Sequence, residues 1–134
     1  MKVLAIDYGT KWIGLAFGDT RLRLAVPLSR IENRGERVFR DIALKVQELD
    51  VSLVLVGMPL TPSGREGQRA MEVREFTQRL RQVLPEEVEV SFWDERYTTF
   101  DAYSLMQGLS GSKKRELKDS LSAYALLLEY MESL

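Results

Sequence analysis

The chain has 134 residues, the length of one domain, and 45% of them are apolar against 29% charged, the balance of a water-soluble globular fold. It contains neither histidine nor cysteine, which excludes disulfides, Cys/His zinc sites, Ser-His-Asp triads, thiol nucleophiles and imidazole acid–base chemistry. Its 19 basic and 20 acidic side chains leave a net charge of −1, so contact with nucleic acid has to use local basic patches rather than a global field.

The apolar run Val3-Leu4-Ala5-Ile6 meets Asp7 and is bounded by Gly9, which predicts a buried strand. The run is too short for a signal-peptide core or a membrane span, and a cytoplasmic protein is expected. Trp12 to Phe17 reads as a second strand, joined to the first by the tight Tyr8-Gly9-Thr10 connection. Leu24 to Ile31 reads as a third, with Pro27 assigning it to a sheet edge. Val38, Ile42, Val46 and Leu49 recur at helical spacing over Arg37 to Leu49. Val51 to Val56 is almost continuously apolar and β-branched, as in a strand buried on both faces, and Gly57 to Gly64 has loop chemistry.

An amphipathic helix is predicted over Gln68 to Leu84, stopped by Pro85. Val88, Val90 and Phe92 alternate into a fifth strand ending at Trp93. A short helix capped by Thr98 or Thr99 is expected through Met106, then a flexible basic segment, Ser110 to Arg115, and a last helix from Glu116 to Met131. Three sequential strands followed by alternating strands and helices imply an α/β fold: a mixed five-stranded sheet, three strands antiparallel and then two parallel, flanked by helices. Residues 1–134 read as a single domain.

In such sheets the binding crevice lies at the carboxyl ends of the strands, where Asp7, Gly57 and Asp94-Glu95 all fall. Asp7 is either a turn-forming residue or a ligand for a cation, because an unpaired buried carboxylate is costly. The amides of Gly9 and Thr10 can hold an anion. Asp94, Glu95 and Arg96 are either a solvated turn with a local ion pair or a site in which one acid faces the crevice as a ligand and Arg96 meets a phosphate; if the strand continues, alternation keeps the two acids from facing the same way. Asp119 sits at the margin of the inward face of the last helix, where it also suits the helix dipole. Lys113, Lys114, Arg115 and Lys118 form a basic cluster that is either a solvated loop or a phosphate clamp. Residues 1–40 add a second local surplus, eight basic against four acidic side chains. Trp93 and Tyr97 are candidates for base stacking or for the core. Three acids from three separate elements, without histidine, suit a hard divalent cation, Mg²⁺ or Mn²⁺, and phosphodiester hydrolysis.

Together these motifs resemble the YqgF/RuvX family of RNase H-like proteins. The matching pieces are Asp7-Tyr8-Gly9-Thr10-Lys11-Trp12-Ile13-Gly14-Leu15-Ala16, Val56-Gly57-Met58-Pro59 with Gly64-Arg65-Glu66-Gly67, Asp94-Glu95-Arg96-Tyr97-Thr98-Thr99, and Lys118-Asp119-Ser120 with Ala123. The resemblance implies an RNase H-like sheet in which Asp7, Glu95 and Asp119 are catalytic metal ligands. Asp94, Arg96 and Thr10 would support them, and Asp94 rivals Glu95 as the second acid. Lys11, Arg65, Arg96, Lys113, Lys114, Arg115 and Lys118 would bind nucleic acid. It further implies a nuclease acting on structured RNA such as pre-16S rRNA, or on branched DNA as a Holliday-junction resolvase, with a homodimer fitting the latter. Two other classes compete: a phosphate-binding actin-like or sugar-kinase fragment, disfavoured by a length that holds one lobe only, and a non-catalytic nucleic-acid-binding module.

Overall fold

The computed structural model describes residues 1–95 and the backbone of 111–134, with side chains described at 111 and 120–134. The short helix expected before Met106 lies outside the described residues. The strands are β1 (Lys2–Asp7), β2 (Trp12–Asp19), β3 (Leu24–Glu32), β4 (Leu53–Met58) and β5 (Glu89–Asp94). The helices are α1 (Arg37–Glu48), α2 (Gln68–Val83) and α3 (Gly111–Glu132).

The strands form one sheet in the order β3-β2-β1-β4-β5. β1 to β3 pair antiparallel, and β4 and β5 add in parallel, as expected from the sequence pattern. Pro27 lies on the edge strand β3, where its missing N–H leaves no gap in an interior ladder. β1 and β4 are the apolar runs, and every residue of β4 is buried.

Alternation sorts the side chains onto two faces. Leu4, Ile6, Ile13, Leu15, Val54 and Val56 pack against α1 and α2 through Val38, Phe39, Ile42, Val73, Phe76 and Leu80. Val3, Ala5, Ala16, Leu53 and Leu55 pack against α3 through Ala123, Leu126 and Leu127. The small residues on this second face let α3 lie close, and at Gly18 the Leu127 and Met131 side chains fill the space a Cβ would take. No helix among the described residues is long and apolar enough to cross a membrane.

Most element ends fall within two residues of the expectation, and the differences that matter are at β4 and α3. β4 starts at Leu53, not Val51, because Asp50 turns the chain at φ 54° and the Val51 amide donates to Val46 O, closing α1. At its other end β4 runs on to Met58, so Gly57 lies inside the strand, paired with Trp93. α3 starts at Gly111, so the segment read as flexible and basic contributes residues 111–115 to the helix. Lys, Arg and Glu are good helix formers, and a run of charge does not break a helix.

Candidate active site

The site forms where β1, β4 and β5 end together. Val3 and Ala5 face α3, so Asp7 does too, and Leu53 and Leu55 carry Gly57 to the same face. On β2 Gly14 stands opposite Asp7, leaving that side without a side chain. The Glu95 amide donates to Met58 O at 3.1 Å, extending the β4–β5 ladder by one step. The Glu95 carboxyl then folds over Gly57: a Cβ there would collide with Glu95 Oε1 and Cδ and come within 2.7 Å of Leu126 Cδ1. A glycine at position 57 thus creates the hollow in which two acids from separate strands meet.

Their electrostatics follow from that placement. Burial, the Asp7 charge and a hydrogen bond with Asp7 push the Glu95 carboxyl up from 4.5 to about 9. Asp94 acts in the same direction and Arg69 opposes them. At neutral pH Glu95 holds a proton and donates it to the Asp7 carboxylate. Gly57→Ala is expected to push Glu95 off Asp7 and out of the hollow. Its titration midpoint, followed by carboxyl NMR, should fall by at least about one unit. An unmoved midpoint would show that the hollow does not hold the pair together.

The turn after Asp7 is fixed carbonyl by carbonyl. Arg69 Nη2 donates to Tyr8 O at 2.9 Å, Asn33 Nδ2 to Gly9 O at 3.0 Å, and the Asn33 amide to Lys11 O at 2.9 Å. Tyr8 packs its ring on Phe76, with centroids 4.8 Å apart. A side chain at Gly9 would strike the Trp12 carbonyl, so this turn takes glycine alone. Thr10 and Lys11 are exposed at its tip, and Arg65 is exposed in the loop after β4.

Of the two rival acids, Glu95 meets Asp7. Asp94 is the last residue of β5 and alternates to the face of Val90 and Phe92. α3 is tied to the sheet beside Asp7, where the Leu15 amide donates to the buried Ser120 Oγ at 3.2 Å, next to a bulge between Ile13 and Leu15. This bond brings the backbone of Asp119, one residue earlier, towards the site. The side chains of Asp119, Lys113, Lys114, Arg115 and Lys118 lie outside the described residues, as do Arg96 and Tyr97. The expected gathering of three acids is thus described for two, and no group of three metal-ligating side chains occurs among the described residues. Trp93 belongs to the core, edge-on to Tyr130 at 5.5 Å, and not to a stacking surface. The sequence reading did not single out Arg69 or Asn33, neither of which sits in a quoted motif, and it carried Ser120 only within the Lys118-Asp119-Ser120 match, with no role of its own.

The sheet order and helix placement are those of the RNase H-like fold of RuvC-type resolvases. The fowlpox virus Holliday junction resolvase matches with a TM-score of 0.62 at 15% identity, over 100% of both chains. Thermus thermophilus RuvC, solved with a Holliday junction substrate, matches with a TM-score of 0.59 at 13% identity, over 99% of this chain and 95% of that one. The family profile described as "RuvX: Holliday junction resolvase" matches residues 1–133, and the chain belongs to that family. A relative from Sulfurihydrogenibium sp., named for pre-16S rRNA nuclease activity, is 35% identical over 99% of this chain and 91% of its own length. One of the same name from Bacillus thuringiensis is 32% identical over 99% of each.

Proposed function

We propose that this protein is a cytoplasmic, divalent-cation-dependent nuclease that hydrolyses phosphodiester bonds in structured RNA, with the 5′ end of pre-16S rRNA as its substrate. The observation that carries the reading is the contact between Glu95 and Asp7 at the carboxyl ends of β5 and β1. The names of the relatives supply the nuclease class and the RNA.

The donor set fits a hard cation. Two carboxyls are held together at the expense of a shared proton, and a divalent ion takes the place of that proton with a stronger counter-charge. Asp7 and Glu95 would hold Mg²⁺ or Mn²⁺, with Asp119 of α3 as the third acid. The bound ion would polarise the phosphodiester and make its water a stronger acid than bulk water. The residues of the chain do the rest: Asp7 and Glu95 fix the charge at the strand ends, and the Asn33 and Arg69 hydrogen bonds hold the Asp7 turn still. Lys11 and Arg65 are exposed around the same end and neutralise phosphates of the strand, and Thr10 beside them offers a hydroxyl.

The test is cleavage of an end-labelled pre-16S fragment and of a four-way DNA junction, each with Mg²⁺, Mn²⁺ or chelator. Metal-dependent cutting of the RNA supports the reading, and binding of both substrates without cutting under any condition overturns it. The resolvase fold of the solved neighbours favours a second reading, a homodimeric junction resolvase, which paired symmetric cuts in the junction alone would establish. The basic cluster of α3 has its own expected result. Lys113→Ala with Lys114→Ala lowers the slope of log affinity against log salt by about 1.4 for a single strand, two phosphate contacts. An unchanged slope would make those lysines bystanders.

A further inference from the structure

Building on the nuclease reading, we propose that Arg69 is a further catalytic residue, whose guanidinium contacts the phosphate group under attack while one of its N–H groups holds the Tyr8 carbonyl beside Asp7. Arg69 lies in the first turn of α2, a helix whose other arginines are engaged elsewhere. Arg74 is paired with Glu66 at 2.5 Å, Arg79 with Glu36 and the Phe39 ring, and Arg81 with Val90 O. Arg69 instead reaches across the sheet end to Tyr8 O at 2.9 Å and forms no salt bridge with a carboxylate among the described residues. The carbonyl it holds belongs to the residue that follows Asp7, which sets the guanidinium at the strand end that carries the acid pair, and its charge opposes the upward shift of Glu95. The residue is exposed. A guanidinium has five N–H donors in a planar fork, and the Tyr8 carbonyl accepts from one nitrogen only, so donors remain for two oxygens of a phosphate.

The chemistry gives this cation a task. A water oxygen bonds to phosphorus, the bond from phosphorus to the leaving oxygen breaks, the water loses its proton to solvent and the leaving oxygen gains one. Negative charge rises on the non-bridging oxygens as this happens, and Arg69, which neither gives nor takes a proton, stabilises it. The hydrogen bond to Tyr8 O fixes the guanidinium in advance, so little order is lost when the phosphate arrives.

The experiment compares wild type, Arg69→Ala, Arg69→Lys and Asp7→Asn on the labelled pre-16S fragment with Mn²⁺, together with Tm. The expected result for Arg69→Ala is a kcat lower by roughly 100- to 1,000-fold, the range for loss of one transition-state donor. Its Tm should stay near that of wild type, and millimolar free guanidinium should restore part of the rate. Arg69→Lys keeps the charge without the fork and should fall between the two. Arg69→Ala cutting within about threefold of wild type while Asp7→Asn is inactive would overturn the proposal and leave the nuclease reading standing. So would a lowered Tm with no rescue by guanidinium, which marks a merely structural tie to Tyr8. If wild type itself cuts nothing, both readings fall.

Discussion

Asp7→Asn is expected to fold, to bind nucleic acid much as wild type does, and to cut it at least about a thousandfold more slowly. The fold should survive because asparagine has the shape of aspartate and the turn that follows is held by other groups, the Arg69 and Asn33 hydrogen bonds to the carbonyls of Tyr8 and Gly9. Binding should survive because the exposed cations, Lys11 and Arg65 among them, are untouched. Hydrolysis should not. A divalent ion contributes several kcal/mol of charge stabilisation, and each 1.36 kcal/mol is about tenfold in rate. Replacing one of two carboxylates that meet at the strand ends would remove much of the charge proposed to hold the ion. The measurement is single-turnover cleavage of the labelled RNA over a Mn²⁺ series, with affinity taken in parallel. If the variant cuts within tenfold of wild type at every Mn²⁺ concentration, the reacting phosphate lies elsewhere on the protein.

How much of this was legible in the sequence follows from which features are local. β1 and β4 are apolar runs that can only be buried, and Pro27 marks an edge, so the sheet and the position of Asp7 follow from residue type and spacing. The choice between Asp94 and Glu95 does not, because alternation gives two opposite faces without saying which faces α3. The contact over Gly57 decides it, and that contact joins residues 38 positions apart. Arg69 was invisible for the same reason. Within α2 it is one arginine of several, and its significance comes from a carbonyl 61 positions away. The start of α3 was misplaced because a dense run of charge looks like loop, although its residues favour helix.

The pairing of Glu95 with Asp7 costs stability in the absence of metal, and Glu95→Gln should expose that cost. The sign follows from where the proton sits. Glu95 is raised from 4.5 to about 9 in the folded chain, so across that window the native state holds a proton that the unfolded state gives up. The stability this proton contributes is full below pH 4.5, declines as pH rises and is gone above about 9. Glutamine has the same shape, stays neutral at every pH and offers an N–H to the Asp7 carboxylate. In chelator the variant should therefore melt close to wild type at pH 5 and roughly 5 °C or more above it at pH 9. Divalent cation should reverse the order. On the proposed metal site, wild type would gain about 2.7 kcal/mol with the ion at a hundred times its Kd, whereas the variant, short of one charged ligand, would gain less. Wild-type affinity for Mn²⁺ should also rise up to tenfold per pH unit between pH 6 and 8, as one proton leaves for each ion bound. Thermal melts at pH 5, 7 and 9, with chelator and with Mn²⁺, test all three expectations. If the two proteins melt together at pH 9 in chelator, Glu95 is not the buried, protonated partner of Asp7.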